Sequence, residues 1–303
     1  MAVIPASEAI PKETLRAVRR LELVTRRLVQ EVLSGGYLSS FLGSGMEFSE
    51  VREYHEGDDV RHIDWNVTAR LDRAHVKRFV EERELRLVFL VDGSASTSFG
   101  SGDRSKSEVA SELCAAVALS AHRNRDLVGL VRVSDRVEAF VPPRKGRTHV
   151  LRILRELLVP RPPGAGTKLA AGAAFLLRVL RRRSTVLVVS DFQDDGYETP
   201  LRLLRRRHDV IAVSVRDPRE DTLPSAGVLE LEDPETGERV LLDTGRASVR
   251  REFARRAAER ESALSSVLRR AAVDRIDLAT DRPVVPALLR FFRARARRRS
   301  RGR

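Results

Sequence analysis

The chain has 303 residues, enough for one ordinary domain with a large addition or for two, and its 42% hydrophobic content supports a real core. A single cysteine, Cys114, excludes any disulfide framework within the chain and fits a reducing compartment; in its apolar helical run it reads as a small buried hydrophobe. The net charge of +13 is uneven, because eight arginines and no acid lie between Arg290 and Arg303, so the body is only mildly basic and charge alone does not argue for nucleic acid.

In chain order, Leu15, Val18, Leu21, Leu28 and Val32 recur at helical spacing, which predicts a helix over Pro11–Leu33, stopped by Ser34-Gly35-Gly36. The segment from Phe48 to about Glu84 is polar and lacks the period of a helix or strand. It reads as a loop-rich region in which Asp58, Asp59, Asp64, His55 and His62 make structural salt bridges and turn hydrogen bonds around a partly buried Trp65. From Leu85 the texture changes. Continuous apolar runs at Leu85–Val91, Leu127–Val133, Thr185–Ser190 and Val210–Val215 read as buried strands, with Val137–Val141 as a hairpin partner. Helical patterns over Lys106–His122, Thr148–Leu158, Leu169–Leu180 and Pro200–Arg206 alternate with them, so the fold class expected is α/β, with a mainly parallel sheet covered on both faces. After Asp221 come short strand-like pieces at Val228–Leu231 and Val240–Leu242. A long arginine-rich helix follows over about Ser248–Ala271, then Pro283–Pro286 and a basic tail expected to lack order beyond about Arg297. The divisions expected are 1–34 (N-terminal helix), 35–84 (accessory segment), 85–221 (α/β domain), 222–289 (C-terminal accessory region) and 290–303 (tail). No leader pattern is visible and no window reaches the ~18 apolar residues of a membrane helix, so a cytoplasmic protein is expected.

In an open α/β sheet, ligands bind beyond the carboxyl ends of the strands, near the point where strand order reverses. Two strands here end in an acid, Asp92 and Asp191. Two hydroxyls, Ser94 and Ser96, follow the first, and Thr167 stands on a loop after the breaker cluster Pro160–Gly166. Oxygen donors without histidine or thiol suit Mg²⁺, with Mn²⁺ or Ca²⁺ as alternatives, and disfavour zinc. A hydroxyl-rich set keeps the cation electrophilic and leaves a position that a partner's carboxylate can fill. The duller reading is that Asp92, Ser94 and Asp191 each cap the element that follows a strand.

Asp92-Gly93-Ser94-Ala95-Ser96 resembles the D-x-S-x-S signature of the metal-ion-dependent adhesion site in von Willebrand factor type A (vWA) domains, and Thr167 and Asp191 stand where that site's second and third loops supply ligands. Three further stretches, Phe48–Tyr54, Glu56–Trp65 and Ala69-Arg70, resemble the hallmark of the "domain of unknown function 58" family; they contain Arg52, Tyr54, Gly57, Asp58, Arg61, Asp64, Trp65 and Arg70 as structural or interaction residues. Ser190-Asp191-Phe192 and Asp217-Pro218-Arg219-Glu220 fit the same family, and the resemblance spans about Gly45 to Asp281. It implies a vWA-like, Rossmann-type fold and a Mg²⁺ site. It also implies a non-enzymatic role as partner or adaptor of a MoxR-type AAA+ ATPase or of its client protein. Two departures stand out: Thr97 replaces the Met found in many vWA sites, and the transmembrane helices of many relatives have no counterpart in this sequence.

Competing functions fare less well. A Mg²⁺-dependent phosphohydrolase of the haloacid-dehalogenase kind also begins with an aspartate after a buried strand, but it needs a second acid where Ser94 stands, and the sequence offers no evident lysine with the proper placement. A serine hydrolase needs Gly-x-Ser-x-Gly, which Gly93–Ser96 does not provide. The arginine tail can touch anionic membrane, RNA or an acidic surface, but only Phe291 and Phe292 lie near it, and both read as helix anchors, which argues against nucleic-acid binding.

Overall fold

The structure, a computed structural model, describes residues 46–55, 58–60, 63–71, 73–81, 85–159 and 166–301. The helix expected over Pro11–Leu33 lies outside them. The chain divides into two compact units, Phe41–Glu84 and a larger one that holds everything from Leu85 onward.

In the smaller unit, β1 (Met46–Glu53) pairs antiparallel with β2 (His75–Glu81), and α1 (Trp65–Leu71) lies between them in sequence. The sequence suggested loops here, and the structure corrects that. The register shifts between Phe48 and Glu50, and such a bulge inserts a residue that breaks the period-two pattern by which strands are recognised. Of the expected polar web, the contacts of Asp58, His55 and Asp64 are described, and His62 lies outside the described residues. The Arg52 fork donates to both oxygens of Asp58, at 2.8 and 2.6 Å, and the His55 amide donates to the same carboxylate at 2.9 Å. These bonds hold the Asp58 carboxyl below its ordinary value, the Arg52 hydrogen bond contributing most. Tyr54 contributes its amide, bonded to the Ala74 carbonyl at 2.8 Å, and Asp64 Oδ1 accepts from the Val67 amide at 3.3 Å in the first turn of α1. Arg70 is exposed in the last turn of α1, where a cation suits the helix dipole. Trp65, expected to be partly buried, is 70% exposed. It opens a helix of two turns, too short to cover its own first residue. Gly57 and Arg61 lie outside the described residues.

The larger unit begins with β3 (Arg86–Asp92), α2 (Lys106–Arg123), β4 (Leu127–Val133), β5 (Val137–Arg144), α3 (Arg147–Leu157), α4 (Leu169–Val179) and β6 (Thr185–Ser190). It continues with α5 (Glu198–Arg207), β7 (Asp209–Arg216), α6 (Pro218–Asp221), β8 (Val228–Glu232), β9 (Arg239–Asp243), α7 (Ala247–Arg270), β10 (Asp274–Ala279) and α8 (Val284–Arg301). Six strands form one sheet in the order β10-β7-β6-β3-β4-β5, all parallel except β5, which runs antiparallel to β4. This is the expected α/β fold, a mainly parallel sheet with helices. β3, β4, β6 and β7 are buried along nearly their whole length, which is why they read as unbroken apolar runs. β10, from the segment set apart above as C-terminal, is an edge strand of this same sheet. The chain winds outward from β3 through β4 to β5 on one side, and from β6 through β7 to β10 on the other. The switch point therefore falls between β3 and β6.

Close packing fixes the helices on the sheet. A Cβ at Gly172 in α4 would stand 2.5 Å from Leu90 Cδ1, so this helix approaches β3 only because residue 172 has no side chain. Leu264 and Leu268 of α7 join Val186, Val188 and Ala212 in the core. Cys114 is fully buried in α2, and burial pushes its thiol well above the usual range, so it behaves as an inert hydrophobe. The basic tail is helical through Arg301, contrary to the expectation of disorder past Arg297. Val284, Leu288, Phe291 and Phe292 give α8 a buried face, and Arg295, 4% exposed, pairs from that face with Asp209 and Asp274. Among the described residues, no helix is long and apolar enough to cross a membrane.

Candidate cation site at the sheet switch point

β3 and β6 are neighbours in register, Val91 opposite Val189, so their carboxyl ends deliver Asp92 and Asp191 to the same edge. Asp92 is 1% exposed, and both its oxygens are engaged. Oδ1 accepts from the Ser94 amide at 2.8 Å and Oδ2 from Ser190 Oγ at 2.6 Å. Ser94 precedes a 3₁₀ turn over Ala95–Ser98 but makes no side-chain capping bond. Its hydroxyl lies instead 3.0 Å from Ser96 Oγ, which donates to Asp191 Oδ2 at 3.2 Å. Four of the five residues expected at the site are thus linked by a chain of hydrogen bonds, and the reading of Ser94 as a helix cap fails.

Thr167 is placed differently. The next residue, Lys168, bonds through its amide to Ser134 O at 2.7 Å, while the Gly93 amide bonds to Val133 O at 2.6 Å. Both loops are therefore pinned to the end of β4. Among the described residues, Thr167 makes no hydrogen bond to the other four candidates; its hydroxyl donates to Glu235 Oε1 at 3.1 Å.

A buried cation that sequence reading missed completes the cluster. Lys106, 1% exposed, sits at the first position of α2 after the Ser105 capping box with Glu108. Its Nζ donates to Asp191 Oδ2 at 2.7 Å and to Glu220 Oε1 at 2.6 Å. Glu220 is held in turn by its own capping role in α6, where Oε2 accepts the Asp217 amide at 2.9 Å. One signal was available in the sequence: a lysine in the first turn of a helix opposes the macrodipole and needs a reason to be there. Glu220 lies in α6, 114 residues away; its Asp217–Glu220 stretch was noticed in the sequence, but nothing local pairs it with Lys106.

The electrostatics follow from this inventory. Asp191 and Glu220 share the ammonium of Lys106, and Asp92 feels the charge of Asp191. Burial, then the nearby Asp191 charge, push the Asp92 carboxyl up to about 6, against the bonds from Ser190 and Ser94. Burial alone would lower the Lys106 ammonium, but the charges of Asp191 and Glu220 outweigh it and hold Lys106 above its ordinary value. The backbone is also strained at this point. Phe192, directly after Asp191, has φ 59°, a left-handed conformation costly for an aromatic residue and met where a site over-determines it. A cavity of about 370 Å³ opens beside Asp191 and Glu220, walled by Phe192, Tyr197, Arg260 and Leu264.

The donor set fits a hard divalent cation. It offers carboxylate and hydroxyl oxygens and no histidine or thiol, and burial, with the Asp191 charge beside it, already raises Asp92. Among the described residues, no group of three or more His, Cys, Asp or Glu side chains could hold a metal ion, so any such site depends on the hydroxyls.

The fold and its edge cluster define a doubly wound α/β protein with a cluster of carboxylate and hydroxyl oxygens at the switch point. The chain belongs to the DUF58 family of proteins of unknown function, which matches residues 50–263. It is 34% identical to the uncharacterized protein Rv1480 of Mycobacterium tuberculosis over 286 residues, 93% of this chain and 89% of that one. Among solved structures, a conserved hypothetical protein BatB from Bacteroides thetaiotaomicron covers 70% of this chain and 99% of its own, at TM-score 0.46 and 14% identity. The SpRpn10 VWA domain covers 68% and 94%, at TM-score 0.38 and 12% identity.

Proposed function

We propose that this protein is a non-enzymatic, metal-dependent interaction module. Asp92, Ser94, Ser96, Thr167 and Asp191 would hold Mg²⁺, with Mn²⁺ or Ca²⁺ as substitutes, and a partner's carboxylate would complete the shell. A MoxR-type AAA+ ATPase, or its client, is the partner that the family resemblance suggests. The observation that carries the reading is the hydrogen-bonded run Asp92–Ser94–Ser96–Asp191, buried except at half-buried Ser96, in which a second carboxylate charge acts on buried Asp92.

The test has two arms. Calorimetry of the wild type and of Asp92→Ala with Mg²⁺ is expected to give binding only to the wild type. A MoxR-type ATPase from the same genome should be retained on the immobilised wild type in Mg²⁺ and released by EDTA. Equal retention by wild type and Asp92→Ala, with and without EDTA, defeats the proposal.

The phosphohydrolase reading gains one feature from the structure. A lysine, Lys106, stands beside Asp191. Its ammonium, however, is committed to Asp191 and Glu220, and Asp92 is buried with both oxygens bonded, so neither is poised to attack or steady a phosphoryl group. Ser94 still occupies the position of the general acid. Turnover of p-nitrophenyl phosphate that vanishes in Asp92→Ala would reverse this ranking.

A further inference from the structure

The β8–β9 hairpin pairs Val228 with Asp243 at its root and turns at Asp233–Gly237. The turn is rigid. Asp233 Oδ1 accepts the amides of Glu235 and Thr236 at 2.8 and 3.3 Å, the Gly237 amide bonds to Asp233 O at 2.7 Å, and Gly237 takes φ 72°, open to glycine without strain. The root is anchored as well, since Thr244 is fully buried and its carbonyl accepts from Arg250 at 2.6 Å.

Over 232–241 every residue is exposed except Glu235, which is half-buried. Its carboxylate lies on the Thr167 hydroxyl, at 3.1 Å, and a Cβ on neighbouring Gly166 would be in ordinary contact with its other oxygen. In a chain of net charge +13, a half-buried carboxylate usually finds an arginine. Arg239, the nearest in sequence, pairs instead with Glu230 and Glu232, and among the described residues Glu235 forms no ion pair. The Thr167 hydroxyl and a carboxylate that forms no ion pair among the described residues thus meet, and the backbone beside Thr167 is bonded to the end of β4, next to β3, which delivers Asp92.

We infer that Glu235 is an intrinsic carboxylate ligand: the hairpin tip fills, from within the chain, the cation position that a partner's acid would otherwise take. This rests on the cation reading given above. It adds a regulatory consequence, since a partner must displace Glu235 to bind, and the affinity seen by a partner is reduced by the fraction of closed hairpin.

The test uses Mn²⁺ alone on the whole chain, with affinity read by electron paramagnetic resonance and backbone protection by hydrogen exchange. In the wild type, Mn²⁺ should slow exchange over residues 228–243, and it should not do so in Asp92→Ala. Glu235→Ala, a change at the hairpin tip away from the buried core, should weaken Mn²⁺ by about tenfold for the loss of one charged ligand. Acetate should restore that affinity in Glu235→Ala and leave the wild type unchanged. If Glu235→Ala binds Mn²⁺ as the wild type does, and hairpin exchange ignores the ion while Asp92→Ala abolishes binding, the cation site stands and Glu235 is no part of it. If the wild type takes up no Mn²⁺, both readings fall together.

Discussion

Lys106→Met removes one charge and keeps most of the buried stem. The ammonium it deletes is 1% exposed and holds Asp191 at 2.7 Å and Glu220 at 2.6 Å, with the side chain of Asp191 also 1% exposed. Removing one partner of such a buried pair leaves an uncompensated charge and costs about 3–5 kcal/mol. For a chain of this size, each kcal/mol corresponds to roughly 2–4 °C in melting temperature, so the variant should melt about 6–20 °C lower in EDTA. Mg²⁺ should restore more stability to the variant than it adds to the wild type, because the cation then faces Asp191 without a competing ammonium. The assay is thermal unfolding by circular dichroism, with and without Mg²⁺. A loss below about 1 kcal/mol in EDTA would refute the reasoning, since it would mean the lysine carries no buried charge balance. Lys106 is held above its ordinary value, so its contribution is complete below pH 10.5 and fades as pH rises through the higher folded value.

Asp92→Asn should behave oppositely. The carboxyl is raised from 3.8 to about 6, so its ionisation disfavours the folded state increasingly as pH rises between those values, and fully above them, by roughly 3 kcal/mol at most. An asparagine can accept from the Ser94 amide and donate to Ser190, so in EDTA at neutral pH the variant should be more stable by about 1–3 kcal/mol, and its denaturation midpoint should ignore Mg²⁺. Asp217 accepts from the Ser101 amide and hydroxyl, Thr280 Oγ1 and the Arg219 amide, at 2.6–2.9 Å. Burial alone would raise its carboxyl, but these bonds outweigh burial and hold it below 3.8. Its stabilisation is therefore present above pH 3.8 and lost as pH falls through the folded value, and Asp217→Asn should flatten that part of the acid-denaturation curve. Gly172→Ala should destabilise by about 1–3 kcal/mol in urea, against the roughly 1 kcal/mol that alanine gains in a free helix, because the new methyl meets Leu90. A stabilised variant would show that α4 can lift from β3 at no cost.

By itself the sequence determined the alternation of buried strands and helices. Runs such as Leu87–Val91 and Val186–Val189 are apolar on both faces only if both faces are covered. It also determined which oxygens leave the strand ends, because Asp92, Ser94, Ser96 and Asp191 follow directly from where those runs stop. Tertiary structure decided what those oxygens meet. The strands of the smaller unit stayed hidden because a bulge breaks their alternation, and Trp65 proved exposed because burial depends on neighbours that no local pattern names. α8 remains ordered to its end because Arg295 finds Asp209 and Asp274 on two strands brought side by side. Lys106–Glu220 and Thr167–Glu235 join residues 114 and 68 positions apart, and such pairs exist only after the sheet has gathered its loops at one edge. Local pattern records the requirement to bury a face, whereas the balance of charge is settled by distances that the chain acquires only on folding.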